Sequence, residues 1–335
     1  MNTRKAVILI NVGTPDKANV KSIFKYLTAF LNDKRVIDMP PLFRFFLVNF
    51  IIIPFRLNKA LSRYRMIWTD KGSPLLLNTL KLKGKLQEVL DENIDVYAGM
   101  RYGNPSLKTL LKTLEKKNFS KIIFFPLFPQ YASATTGTVT EQILREISSW
   151  NIIPEIRIIS QFYDLPGFSL AFSERIKECK PEKYDHVLFS FHSLPMKHIL
   201  KTHPFNDIES CNCIVEMPSH GSNCYKAACY ETTRNIVAAA GIKSENYTVC
   251  FQSRLKGKWL SPSTEEIIIQ KATEGYKNIL VVSPSFVSDC LETIYDIEFE
   301  AAELFQKHGG NKLKLVGSLN DQDIWVNAIK GKVME

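Results

Sequence analysis

Nowhere in the 335 residues is there a long Lys/Arg block, a helix-turn-helix pattern or zinc-finger spacing, and these absences argue against nucleic acid as a partner. Unbroken apolar runs are short, and none approaches the roughly 20 residues that cross a bilayer. The opening run Ala6–Val12 mimics a signal peptide only briefly. It passes into Gly13-Thr14-Pro15-Asp16 with no small-residue cleavage site. A first buried strand in a cytoplasmic protein is the expectation. A composition of 45% hydrophobic and 23% charged residues excludes disorder.

The length suggests two domains. The net charge of +9 (43 basic minus 34 acidic) favours acidic partners such as anionic lipid, phosphate or a small polycarboxylate. Val187–Phe191 is an apolar run of the kind that forms a doubly buried strand. It stops at His192, and Pro195 prevents its continuation. Ligands of open α/β sheets sit beyond the carboxyl ends of the strands. His192 is therefore either a candidate site residue or a histidine that merely ties down a loop.

The chain also repeats itself. Arg101, Asn104-Pro105-Ser106, a helix and Lys121–Pro126 match Arg254, Ser261-Pro262-Ser263, a helix and Lys277–Pro284, with Pro-to-Pro intervals of 21 and 22 residues. A duplicated βαβ unit predicts an α/β fold of two similar Rossmann-like domains with parallel sheets and a cleft between them. The expected divisions are 1–150, with an apolar segment at about 40–60; 151–310, with a cysteine-rich insertion at about 203–230; and a C-terminal segment 311–335 packing back on the first domain. Val20, Ile23, Phe24, Leu27 and Leu31 are spaced as one core-facing helical stripe. Residues 64–68 and 71–75 read as loop.

The segment 43–56 is more apolar than a surface helix requires and is flanked by Arg44, Arg56, Lys59, Arg63 and Arg65. It is either a lip that touches a membrane or covers an apolar ligand, or a buried core helix. Asp289, Glu292 and Asp296 fall at helical spacing. They serve either the helix dipole or a proton or metal role.

Four of the seven cysteines, Cys211, Cys213, Cys224 and Cys229, crowd into nineteen residues. In a reducing compartment such a group points to a metal site, with tetrahedral zinc as one occupant. His203 and His220 read as solvent-exposed bystanders, and Cys179 and Cys250 as buried thiols.

Taken in order, Asn11–Pro15, Arg35–Pro40, Gly72–Leu75, Met100–Gly103, Pro126–Tyr131, Ser190–Pro195, Gln252–Arg254, Trp259–Pro262, Phe286–Asp289 and Glu292-Thr293 resemble the ferrochelatase family over nearly the whole chain. The resemblance implies insertion of ferrous iron, as substrate, into protoporphyrin to give protohaem. His192 matches the family's histidine facing the macrocycle and Glu292 the glutamate across from it, the pair implied to hold the substrate iron, with Asp289 beside Glu292 in a proton relay. Trp259 and Phe286 match positions packed on the ring. Tyr64, Ser73, Arg101 and Tyr102 match positions near the pocket lip or the propionates.

Some relatives carry a [2Fe–2S] cluster. The implied ligands here are Cys211, Cys213, Cys224 and Cys229, with zinc as the alternative. Segment 43–56 corresponds to the family's lip, implying peripheral contact with the inner face of a membrane. Cys290 stands where many relatives have histidine, and a thiol moves protons less readily at neutral pH. Competing functions are a coproporphyrin ferrochelatase, a cobaltochelatase, or a non-catalytic tetrapyrrole or iron–sulfur sensor.

Overall fold

The computed structural model describes residues 4–203, 208, 211–254 and 257–335. These form two compact units, the first comprising 1–128, 132–161 and 329–335, the second 129–131 and 162–328.

In the first unit, strands β1 (Lys5–Thr14), β2 (Ile94–Gly103), β3 (Lys121–Pro126) and β4 (Glu155–Ile158) form a parallel sheet in the order β2-β1-β3-β4. Ala6–Ile10 are fully buried, as a strand covered on both faces must be. The pairing of β4 with β3, Lys121 opposite Glu155, carries the first unit past 150 to Gln161. Gly13 has φ +108, and a β-carbon there would collide with the Tyr102 carbonyl on β2. Only glycine lets the two carboxyl ends lie that close.

The second unit repeats this plan. Strands β5 (His186–His192), β6 (Tyr247–Gln252), β7 (Asn278–Val282) and β8 (Lys312–Leu315) are all parallel, in the order β6-β5-β7-β8. The correspondence reaches single bonds. Met100 N–H donates to the Pro105 carbonyl in one unit, and Phe251 N–H to the Pro262 carbonyl in the other. Ser106 and Ser263 each cap the helix that follows, accepting from Thr109 N–H and Glu266 N–H. Both loops carry a cis X–Pro bond, Asn104–Pro105 and Ser261–Pro262.

The helices differ from expectation in two places. Helix Val20–Leu31 buries Ile23, Tyr26 and Leu31, while Val20 and Phe24 stand in solvent. The apolar stripe is therefore narrower than its residue types suggest. Residues Pro41–Ile67 form one continuous helix, with π-helical turns over Leu47–Ile52. The looser turn lets the helix run through Pro54, which lacks the N–H that an α-turn needs there. Tyr64–Ile67 are thus helical rather than loop.

By length and composition this helix is long enough to cross a membrane, which corrects the reading of segment 43–56 as too short. The buried-helix reading also fails. Phe43 is 67% exposed and Phe55 84%, with Leu42, Phe45, Phe46, Phe50 and Ile51 also in solvent.

Candidate active site

The site residues expected in the second unit lie at or beyond the carboxyl ends of its strands. His192 is the last residue of β5 and is held from three sides. Its N–H donates to Ser285 Oγ (3.3 Å), its carbonyl accepts from the Tyr225 hydroxyl (2.8 Å), and its ring Nδ1 donates to the Ser193 carbonyl (2.6 Å). A carbonyl can only accept, so the ring proton sits on Nδ1 and Nε2 presents a lone pair. Burial lowers the pKa of His192 from its ordinary value, against the opposing pull of the Glu292 carboxylate and the Ser193 carbonyl. That direction favours the neutral imidazole at pH 7. Phe286 meets it at a steep angle, with ring centroids 6.2 Å apart.

Glu292 lies in the first turn of the helical segment Leu291–Lys307, whose middle, Ile294–Ala301, is π-helical. His192 and Glu292 both keep part of their surface exposed, so neither is sealed in the core. Gln252, at the end of β6, fixes the geometry between them. Its Nε2 donates to the Glu292 carbonyl (2.8 Å), and its Oε1 accepts from Ser190 Oγ (2.7 Å) and Ser283 Oγ (3.4 Å). One buried amide thus joins three strand ends to the acidic helix. A polar residue buried at the end of an apolar strand was the available signal for it.

Cys290 is buried, and its thiol donates to the Glu292 carboxylate. Burial, reinforced by that negative charge, pushes its pKa well above the ordinary range. It stays a thiol and does not accept protons. Asp289 accepts from Ser318 N–H (3.0 Å) and Asn320 Nδ2 (2.7 Å), one bond per carboxylate oxygen. It anchors the 318–320 loop, an arrangement that suits positioning rather than the relay expected of it. Ser253 Oγ donates to Asp296 (3.2 Å).

Trp259 is brought beside the segment after His192 by antiparallel bonds, Leu260 N–H to the Leu194 carbonyl and Met196 N–H to the Lys258 carbonyl, both 3.0 Å. Leu255 and Lys256, just before Trp259, lie outside the described residues.

In the first unit the four expected lip residues are packed inward. Ser73 accepts from Thr14 Oγ1 (2.9 Å). Tyr64 is buried edge-on to Tyr26 and Trp68. Arg101 and the Tyr102 hydroxyl both converge on Asp33 (2.6 and 2.8 Å), as does Thr138 Oγ1 (2.6 Å). Burial works to raise the Asp33 pKa, but the Thr138, Arg35 N–H and Tyr102 hydrogen bonds and the Arg101 charge outweigh it and hold the carboxyl below its usual value. Asp33 was invisible to sequence reasoning because Arg101, Tyr102 and Thr138, whose side chains converge on it, lie 68 to 105 residues away.

All seven cysteines are free. Cys213, Cys224 and Cys229 are buried and Cys211 half-buried. The four thiols act on one another: Cys213 is pushed up to about 12 by burial, with Cys211 and Cys224 adding to the shift, and Cys229 feels Cys224 and Cys213. A bound cation would supply the positive charge that such thiolates lack.

His203 and His220 are not the solvent-exposed side chains expected. His203 is buried, its ring lies 4.7 Å from that of His220, and His220 Nε2 is 3.6 Å from Cys211 Sγ. The turns after Met196–Leu200 and around Gly221–Asn223 fold both histidines inward. Of the two remaining thiols, Cys250 is buried as expected, whereas Cys179 is half-exposed at a helix end.

Solved structures share the fold. SirB from Bacillus subtilis with Fe3+ aligns at TM-score 0.52 and 12% identity over 99% of this chain and 95% of its own. The sirohydrochlorin chelatase SirB from Bacillus subtilis subspecies spizizenii in complex with cobalt aligns at 0.53 and 13%, over 99% and 94%. A ferrochelatase of Legionella pneumophila (strain Lens) is 40% identical over 338 aligned positions, 99% of each chain. A ferrochelatase of Coxiella burnetii (strain Dugway 5J108-111) is 39% identical over 337, covering 98% of this chain and 92% of the relative. The ferrochelatase family model matches residues 4–335. The chain belongs to the ferrochelatase family, enzymes that insert iron into a tetrapyrrole.

Proposed function

We propose that the tetrapyrrole is protoporphyrin, that the product is protohaem, and that His192 accepts the pyrrole protons. The observation that carries this reading is the His192 ring itself: its Nδ1 proton is committed to the Ser193 carbonyl, which leaves a lone pair on Nε2, and burial lowers its pKa against the field of the partly exposed Glu292 carboxylate in the same unit. The free-base macrocycle holds two N–H protons, and both must leave as Fe2+ enters. Nε2 takes a proton from a pyrrole nitrogen, and Glu292 stabilises the imidazolium that forms. Glu292 then passes protons to solvent, while Gln252 and Cys290 hold its backbone and carboxylate. Asp289 positions the adjoining loop.

Phe286 and Trp259 offer aromatic surface to the ring beside His192. Arg101 and Tyr102 commit polar atoms to Asp33, and Tyr64 and Ser73 pack inside the first unit, an arrangement that favours an indirect part in porphyrin binding over direct pairing with propionates. Iron-insertion assays with two- and four-carboxylate porphyrins test the substrate. Faster turnover of the two-carboxylate ring is expected. Preference for the four-carboxylate ring would favour the coproporphyrin reading, and binding without turnover a sensor.

Cys211, Cys213, Cys224 and Cys229 fit a [2Fe–2S] cluster: four free, interacting and largely buried thiols. When bound, the cluster supplies a one-electron centre and a cross-link between the chain segments that carry its ligands.

The exposed face of helix Pro41–Ile67 supports contact of a cytoplasmic chain with an anionic membrane surface. Its aromatic half is followed by Arg56, Lys59, Arg63 and Arg65. Fully burying a phenylalanine contributes about 1.5–3 kcal/mol. The double variant Phe43→Glu/Phe55→Glu is therefore expected to weaken binding to anionic vesicles by on the order of tenfold or more. Co-flotation unchanged from wild type would remove the membrane role.

A further inference from the structure

We propose that His203, Cys211 and His220 form a second metal site, a mononuclear one for a zinc-type divalent cation, beside the cysteine group. One donor atom from each residue lies within 4.8 Å of the other two. In a tetrahedral site with Zn–N near 2.0–2.1 Å and Zn–S near 2.3 Å, donor atoms are separated by roughly 3.3–3.8 Å. Cys211 Sγ and His220 Nε2 already meet that separation at 3.6 Å. Two imidazoles and one thiolate form the borderline-soft donor set that zinc favours over magnesium or calcium.

The scaffold is fixed locally. His203 N–H donates to the Ile199 carbonyl (3.0 Å), Cys211 N–H to the Ile208 carbonyl (3.3 Å), and Gly221 N–H to the Pro218 carbonyl (2.7 Å), so each ligand sits on or beside a hydrogen-bonded turn. Three protein donors leave the fourth position to water. The site shares Cys211 with the proposed cluster, and a terminal thiolate serves one metal at a time. Cation bound by the histidines therefore withdraws one ligand from the four-thiol set.

The test uses the full chain, stripped of metal and kept anaerobic. It is titrated with Zn2+ against a chromogenic chelator and with Co2+ followed by visible absorption. Wild type is expected to bind one Zn2+, and Cys229→Ser to bind it with nearly the same affinity. His203→Ala/His220→Ala is expected to weaken binding by on the order of 100-fold and to lose the cobalt–thiolate band of a four-coordinate site. Zinc binding retained in the double-histidine variant, or lost in Cys229→Ser, would overturn the site and return the cation to the four thiols.

If the double variant fails to fold, the Co2+ spectrum of wild type decides. Intensity for one sulfur ligand supports the site, and intensity for four overturns it. The cluster is scored separately by its visible absorption after reconstitution with iron and sulfide. Cys229→Ser should lose that absorption while keeping zinc, and the double-histidine variant should do the reverse. Failure to reconstitute a cluster in wild type would remove the cluster reading and leave the zinc result standing.

Discussion

His192→Ala is expected to lower kcat for iron insertion by roughly 100- to 10,000-fold, the range over which a positioned base contributes. Porphyrin binding, followed by quenching of porphyrin fluorescence, should change far less, because alanine removes the proton acceptor but leaves Phe286 and Trp259 in place. The pH dependence carries the second half of the expectation. Burial depresses the His192 pKa, so the imidazole remains unprotonated below the ordinary histidine value of about 6.5. The acid limb of kcat/KM for wild type should therefore fall below that value. Unchanged turnover in the alanine variant would take the imidazole out of the reaction, whatever the porphyrin affinity.

The largest stability effect is expected at Asp33→Ala. The Asp33 and Arg101 side chains are 8% and 17% exposed and meet at 2.6 Å. Removing the carboxylate leaves a guanidinium and two hydroxyls facing each other in a largely dry site, which costs about 3–5 kcal/mol. Asp33→Asn should cost less, since its amide oxygen still accepts from Thr138 or Tyr102. Asp33→Ala/Arg101→Met should recover part of the loss by removing the stranded charge. Urea midpoints for the three variants are the measurement, and a wild-type midpoint for Asp33→Ala would refute the account.

The same network sets an acid sensitivity. The folded carboxyl titrates below its unfolded value, so the unfolded chain takes up the proton first as pH falls. The stabilisation is complete above about pH 4–5 and is lost as pH falls through the lower, folded-state pKa.

The parts of the molecule readable from sequence were those encoded locally. Val187–Phe191 followed by His192 and Pro195 is a strand with a marked end. The two proline-spaced segments announced a duplication that the identical strand orders bear out. What escaped depends on residues far apart in the chain. β4 is a short, half-buried strand with weak alternation, recognisable only through its pairing with β3, and the boundary near 150 missed it. The burial of His203 depends on turns that no periodicity encodes. The face of Pro41–Ile67 was ambiguous because apolar composition is the same for a helix buried in a core and one left bare. Gln252 and Asp33 matter through partners 31 to 105 residues away.

Tyr225 follows Cys224 directly, its hydroxyl interacts with Cys229, and it donates to the carbonyl of His192 while lying 3.1 Å from Ser285 Oγ. A single phenol is thus the tie-rod between the thiol-bearing segment and the histidine. If the proposed cluster is bound there, its loss to an oxidant or chelator is expected to slacken that rod and slow the reaction without any contact with the macrocycle. Tyr225→Phe should mimic such slowing in steady-state kcat with every thiol intact, and full activity in that variant would show the two regions to be mechanically independent.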